Sequence, residues 1–74
     1  MTSPINAPQQ GSHHWILTLE MPGKQVLTDS GTVNPPAGAT RYDMYLAIRE
    51  HTVSGYPELS RANCVFFSLE PNQL

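Results

Sequence analysis

Three histidines and one cysteine are the side chains of this 74-residue chain that could bind a metal ion: His13, His14, His51 and Cys64. His13 and His14 are adjacent, so in a strand their side chains point to opposite faces and do not share one ion. Neither His51 nor Cys64 has a second ligand at the short spacing that zinc sites use. The sequence therefore predicts no metal site, and it assigns His51 a structural role near a helix end.

Carboxylates, serines and glycines are also too dispersed to predict a catalytic site. The six carboxylates stand singly, and no pair has a spacing that suggests a general acid and base held together. No serine lies in a nucleophile-elbow motif. Gly23, Gly31 and Gly38 are too far apart to cradle a phosphate. The prediction is a protein that is not an enzyme, has no catalytic residues and uses no cofactor.

The charge balance disfavours nucleic-acid binding. The chain has a net charge of −2 and four basic side chains, which do not cluster: Lys24, Arg41, Arg49 and Arg61. Nucleic-acid binding draws on concentrated cations. One alternative stays open, a nucleic-acid-associated regulator in which dimerisation brings Arg41, Arg49 and Arg61 into one patch.

Size and cysteine content limit how the chain can be stabilised. A chain this short forms one domain at most and leaves much of its surface exposed. A lone cysteine permits no intramolecular disulfide, so oligomerisation is the remaining aid to stability.

No apolar stretch approaches the ~18 residues of a membrane span, and no signal-peptide pattern is present. These features predict a cytoplasmic protein without a membrane partner.

The last strand is the main indication of a protein partner. Residues 63–70 read NCVFFSLE, are apolar on both alternating faces and end before Pro71. Such a strand needs cover on both faces and a neighbour on each edge, whereas the remaining sequence supplies one strand neighbour and one helix. The candidate protein-interaction residues are Val65, Phe66, Phe67 and Leu69 on this strand, with Tyr42 and Leu46 on the helix.

The elements before it form a predicted hairpin. Residues 14–21 alternate, with Trp15, Leu17 and Leu19 on one face. Met21-Pro22-Gly23-Lys24 suits a type II turn. A second, more polar strand follows over residues 25–33, where Asp29-Ser30-Gly31 interrupts the alternation and predicts a bulge or sharp bend.

A capped helix follows the proline-rich loop at residues 34–39. Thr40 and Asp43 have the spacing of a capping box in its Asp variant, so we expect the helix to run from Thr40 to about Val53. One of its apolar faces carries Met44, Tyr45 and Ile48, and the other carries Tyr42, Leu46 and Val53. One helical turn is expected after Pro57.

These elements predict an α+β fold with the order β-β-α-β in a single domain over residues 13–74. The expected sheet is mixed and three-stranded, in the order 2-1-3, with the last strand parallel to the first. The helix is expected on the sheet face that carries Trp15, Leu17 and Leu19. Residues 1–12 are rich in Pro, Gln, Ser and Gly and are predicted to be a disordered tail.

Two resemblances can be stated on these segments. The layout from WILTLEMPGKQVL through GTVNPPAGAT into RYDMYLAIREH is similar to the opening of the ubiquitin-like β-grasp fold. The chain departs from that family in having one strand after the helix and no C-terminal Gly-Gly, so no conjugation role is implied. HHWILTL and FFSLEPNQL resemble segments of small proteins of actinobacteria and their mobile elements, a resemblance that implies no activity.

The function predicted from the sequence is that of a small, non-enzymatic interaction module. A homodimeric adaptor or regulator is the leading hypothesis, in which two copies pair through residues 63–70. A strand of another protein could use the same edge. Besides the nucleic-acid alternative, a small-molecule-binding module around Tyr42, Tyr45 and Trp15 is a third hypothesis.

Overall fold

The computed structural model describes residues 9–74, which form one three-stranded sheet and one α-helix. In chain order the elements are β1 (His13–Met21), β2 (Gln25–Val33), α1 (Arg41–Gly55), a 3-10 turn (Pro57–Leu59) and β3 (Asn63–Pro71). The strands lie in the order β2-β1-β3. The predicted α+β class, element order and strand order are confirmed, including the helical turn that begins at Pro57.

The β1–β2 hairpin closes through the predicted turn. The Lys24 N–H donates to the Met21 carbonyl at 2.9 Å, and Gly23 has a φ of 74°, as the third residue of a type II turn requires. The register then continues without a shift from Met21↔Gln25 to His13↔Val33. The bulge predicted at residues 29–31 is therefore wrong. Gly31 interrupts the apolar alternation because it lies under a large neighbouring ring, and no extra residue is inserted.

Helix α1 begins with the predicted capping box. The Thr40 hydroxyl accepts a hydrogen bond from the Asp43 N–H at 3.0 Å, and the Asp43 carboxylate accepts one from the Thr40 N–H at 3.1 Å. Two of the N–H groups that a helix start leaves unpaired are thereby satisfied. The helix extends to Gly55, two residues past the expected end at Val53, and the Tyr56 N–H closes it by donating to the Thr52 carbonyl at 3.2 Å and the Val53 carbonyl at 3.0 Å.

Strand β3 runs antiparallel to β1, with Trp15 opposite Leu69 and Leu17 opposite Phe67. The predicted parallel pairing of these two strands is wrong. A 15-residue helix is about 22 Å long, which is enough to cross the sheet once. The strand after the helix consequently runs in the same direction as the strand before it. β3 is thus parallel to β2 and antiparallel to the β1 strand that lies between them.

Among the strand pairs formed by residues 9–74, the one register shift lies in β3 and not in β2. Phe66 faces Thr18 and Cys64 faces Leu19, so Val65 is an extra residue without a direct partner on β1. The Cys64 thiol lies 3.5 Å from the Phe66 carbonyl and spans this bulge. A bulge bends and twists its strand, so the first residues of β3 turn away from a flat continuation of the sheet.

The core lies between the sheet and α1, on the face of the sheet that we call the inner face; the opposite face is the open face. Its buried apolar side chains come from all the elements except β2: Trp15, Leu17, Leu19, Met44, Ile48, Leu59, Ala62 and Leu69. The predicted packing of the helix on Trp15, Leu17 and Leu19 is confirmed. The Arg49 guanidinium ties the helix to the following loop by donating to the Ala62 carbonyl at 2.7 Å and the Ser60 carbonyl at 3.4 Å.

Residues 10–12, which the composition places in the tail, are bonded to β2 and to the residues that directly follow β2 and β3. The Gly11 N–H donates to the Thr32 hydroxyl and the Ser12 N–H to the Asn34 side chain, each at 2.9 Å. From the other side, the Asn72 backbone N–H donates to the Ser12 carbonyl at 2.8 Å. These residues belong structurally to the domain, whereas residues 1–8 of the predicted tail lie outside the described part of the chain.

Candidate protein-interaction surface

The candidate surface is the free edge of β3, which we call the β3 edge and define as residues 64–69. Within residues 9–74 this strand has β1 as its one neighbour. The opposite side of an edge strand presents N–H and C=O groups that can pair with another strand. The apolar strand that the sequence singled out is thus an edge in the folded chain, and β1 occupies the centre of the sheet.

The four predicted interaction residues on β3 are not equally accessible. Val65 and Phe66 are 54% and 51% exposed, and Phe67 is half-buried. Leu69 is 8% exposed and packs into the core opposite Trp15. Leu69 therefore anchors β3 on the helix side, and the accessible apolar part of the β3 edge is formed by residues 65–67.

The helix extends this surface through an aromatic row made of Tyr42, Tyr45 and Phe67. Tyr42, which is 65% exposed, stacks on Tyr45 with 6.1 Å between ring centroids. Tyr45 meets Phe67 edge-on at 5.3 Å. Leu46 is exposed beside the row. The fold thus places the predicted residues Tyr42 and Phe67 in one row.

Tyr45 belongs to this row, although the sequence pattern predicts it on the core-facing side of the helix. In the fold it is partly buried and bridges the exposed helix surface and β3. The available signal was its position three residues after Tyr42, which places the two rings as neighbours on a helix.

Phe66 points the other way, onto the open face. It lies opposite Thr18, whose hydroxyl is 2.9 Å from that of Thr28 on β2. Ile16 on this face is half-buried and Val26 is 63% exposed. The β3 edge therefore has apolar side chains on both faces of the sheet, with the aromatic row on one side and Phe66 on the other.

The two edge strands carry their charges at different places. On β3 the one charged side chain is Glu70, near the strand end, and residues 63–69 carry none; on β2 the carboxylate of Asp29 lies at the centre of the strand, on its inner face. Charged and inward-pointing polar residues protect an edge strand from pairing with another strand. By this criterion β2 is the protected edge. On β3, pairing with another strand is restricted at two places, the bulge at Val65 and Pro71 at the strand end.

The basic residues provide little free positive charge near this surface. Arg49 is held by the Ala62 and Ser60 carbonyls, whereas Arg41 and Arg61 are exposed at opposite ends of the helix–loop segment. The nucleic-acid alternative needs all three side chains in one patch, and an Arg49 engaged in intramolecular hydrogen bonds contributes little to it.

The other candidate residues of the sequence have structural contacts. The His13 ring nitrogen Nδ1 lies 2.8 Å from the Ser12 hydroxyl, and His51 packs edge-on against Trp15 at 6.5 Å. Cys64 is exposed and is a free cysteine. Within residues 9–74, no three His, Cys, Asp or Glu side chains gather as a metal site would require.

Comparison with other proteins adds no further assignment. Against models of known families, curated proteins and solved structures, the chain gives no significant match. Across the described part of the chain, α1 is too short and too polar to traverse a bilayer, and no other helix meets that requirement.

Proposed function

We propose that the protein is a non-enzymatic, cytoplasmic interaction module that forms a homodimer through the β3 edge and serves as an adaptor or regulator. The observation that carries the proposal is an edge strand without charge over residues 63–69, on which Val65 and Phe66 are exposed. Exposed apolar edges are otherwise aggregation sites, so a specific partner gives this edge a defined use over the stretch between the bulge at Val65 and Pro71.

A second copy fits the edge by symmetry. Two β3 strands paired antiparallel about a twofold axis perpendicular to the sheet make one six-stranded sheet. This axis leaves both helices on the same face, so Tyr42 and Leu46 of each copy face their counterparts. The Phe66 side chains then lie together on the open face. The same pairing places β3 at the centre of the assembled sheet.

The register of such a pair can be stated. With the twofold axis at Phe67, Phe67 lies opposite its own counterpart and Phe66 lies opposite Ser68 of the second copy. Because residues 63–69 have no charge, no like charges oppose each other, and with Val65 bulged out of the ladder Glu70 falls opposite Asn63. Cross-strand aromatic pairs contribute roughly 0.2–1 kcal/mol each, so a stable dimer needs several such pairs in addition to the backbone hydrogen bonds between the two strands.

Sedimentation equilibrium at micromolar concentration tests the assembly with two matched variants. Phe66→Lys and Val26→Lys each place a charge on the open face at an exposed apolar position, one on β3 and one on β2. We expect Phe66→Lys to weaken dimerisation at least about tenfold, or ~1.4 kcal/mol, and Val26→Lys to leave it unchanged. A well-folded wild-type monomer would contradict the homodimer and favour a strand from a different protein.

The single exposed cysteine gives a test of geometry. A nitroxide attached to Cys64 is one label per chain, so any dipolar coupling reports a second copy. With the axis at Phe67, Val65 is the bulged residue and Cys64 lies two ladder steps from the axis, so the two Cys64 Cα atoms are four steps apart along the strands, about 14 Å. A dimer that lacks this short distance would place the interface elsewhere, and the mass of the labelled protein shows whether labelling disturbs the dimer.

A further inference from the structure

A groove runs between α1 and β2 on the inner face, on the side of the sheet away from the β3 edge. Its volume is about 410 Å³, and its walls include Ala47, Ile48 and His51 from the helix. The groove arises because the helix covers β1 completely but β2 only partly. Leu17 and Leu19 on β1 are fully buried, whereas the inward-facing residues of β2 are half-buried.

The floor of the groove is an aromatic ring laid across β2. Trp15 lies opposite Gly31, and its indole atoms are 3.0–3.2 Å from the position that a Cβ of residue 31 would occupy. The missing side chain at Gly31 lets the indole cover the strand. Trp15 thus closes the bottom of the groove with an apolar surface.

One carboxylate lies in this mostly apolar space. Asp29 lines the groove, is half-buried and sits directly across from the fully buried Leu17. Among the described residues, the Asp29 carboxylate accepts one hydrogen bond, from the Ser30 N–H at 2.9 Å. None of the Lys or Arg side chains of the chain lines the groove. A carboxylate can accept several hydrogen bonds, so Asp29 retains acceptor capacity that the cationic group of a ligand can use.

We propose that this groove binds a small organic cation, with an ammonium or amidinium group on Asp29 and an apolar body against the Trp15 indole, Ala47 and Ile48. The charge is complementary because Asp29 is the one carboxylate in the lining and no Lys or Arg accompanies it; His51 is the one basic side chain there and lies on the helix wall. The volume lies within the 300–1,000 Å³ of typical ligand pockets. Because the site is on β2 and the helix, it operates whether or not β3 dimerises.

The lone tryptophan of the chain provides a direct readout. The probes are benzylammonium and its neutral isostere benzyl alcohol, titrated while Trp15 fluorescence and the indole N–H resonance are recorded. We expect benzylammonium to shift both signals with a dissociation constant of about 1–10 mM, typical of a ligand this small. Benzyl alcohol should bind at least about tenfold more weakly.

Matched variants locate the site. Asp29→Asn removes the negative charge from the groove. Glu58→Gln is the control, because it removes a negative charge at an exposed position outside the groove. We expect the first to abolish the preference for benzylammonium over benzyl alcohol and the second to leave it intact. Ala47→Leu, at an exposed helix position that lines the groove, should block both probes without unfolding the protein.

Two outcomes would overturn the proposal. If benzylammonium shifts the Trp15 signals no more than benzyl alcohol does, the groove is not a cation site. If Asp29→Asn leaves benzylammonium binding unchanged but makes the protein aggregate, the carboxylate serves only to protect the β2 edge. If Asp29→Asn fails to fold, the Ala47→Leu variant tests where the probes bind. Benzylammonium binding that is unchanged in Ala47→Leu would lie outside the groove and would also overturn the proposal.

Discussion

Gly31 on β2 and Trp15 on β1 form a complementary pair in which the residue without a side chain lies under the largest one. The two residues are directly opposite in the antiparallel register. The indole fills the space that a Cβ at residue 31 would need. This pairing buries Trp15, makes the floor of the groove and explains why the alternation of β2 breaks at residue 31.

Substitution Gly31→Ala should destabilise the fold by about 1–3 kcal/mol, because the added methyl meets the rigid indole at 3.0 Å and overpacks the site. The unfolding midpoint in urea measures the loss. Gly55→Ala is the matched control, since a Cβ there meets nothing within 4 Å. Equal stability of the two variants would show that Trp15 can move away from β2 at little cost.

Substitution Thr40→Ala should cost on the order of 1 kcal/mol, since it removes the hydroxyl that accepts the Asp43 N–H at the helix start. Thr40→Ser keeps that oxygen and should retain most of the stability. Thermal melts followed by circular dichroism compare the two. A melting temperature that is the same in Thr40→Ala and wild type would mean that water replaces the cap at no net cost.

Substitution Thr52→Val should stabilise the protein by about 1 kcal/mol. Thr52 is buried, and its hydroxyl has no hydrogen-bond partner among the described residues. Valine has a similar shape and removes the unpaired polar atom. Thr28→Val is the control, because Thr28 is exposed and its hydroxyl meets that of Thr18. A destabilised Thr52→Val would reveal a hydrogen bond or a bound water at this hydroxyl.

Amide exchange should separate the centre of the sheet from its edge. Residues 15–19 of β1 have a strand on each side, so we expect slow exchange there at every protein concentration. Residues 65–69 of β3 should be equally slow only when the dimer is populated, and their outward amides should exchange faster on dilution. Concentration-independent protection of those amides would argue against pairing through the β3 edge.

Features that depend on neighbouring residues could be read from the sequence. The capping box needs only Thr40 and Asp43, three residues apart, and the hairpin turn needs Pro22 and Gly23 in adjacent positions. Alternation in β1 likewise identifies which side chains enter the core, because the side-chain period of a strand is two. Each of these predictions is confirmed by the fold.

The direction of β3 was also implicit in the sequence, although the pairing was predicted wrongly. A single helix crosses the sheet once, so β3 must run with β2, and the position of β1 between them makes β1 and β3 antiparallel. A crossover from β1 to β3 would make these two strands parallel. Chain order makes it a link between β2 and β3.

Other features were decided by packing between distant segments. The apolar pattern of residues 63–70 does not distinguish a central strand from an edge strand. Leu69 enters the core because it lies opposite Trp15, while Phe66 is exposed because α1, the α-helix of residues 9–74, lies on the inner face and leaves the open face bare. Tyr45 joins the aromatic row because α1 passes beside Phe67. These relations depend on where the helix lies over the sheet.

The sequence by itself thus determined the elements and the β1 side chains of the inner face, because these follow from local hydrogen bonding and side-chain periodicity. The tertiary structure alone decided that Gly31 lies beneath Trp15, that Asp29 faces a groove and that β3 has β1 as its one strand neighbour within residues 9–74. The physical reason is that α1 is a single helix, too narrow to cover all three strands on the inner face, and that residues 9–74 provide no fourth strand beside β3. Its placement over β1 leaves part of β2 and the β3 edge accessible to binding partners.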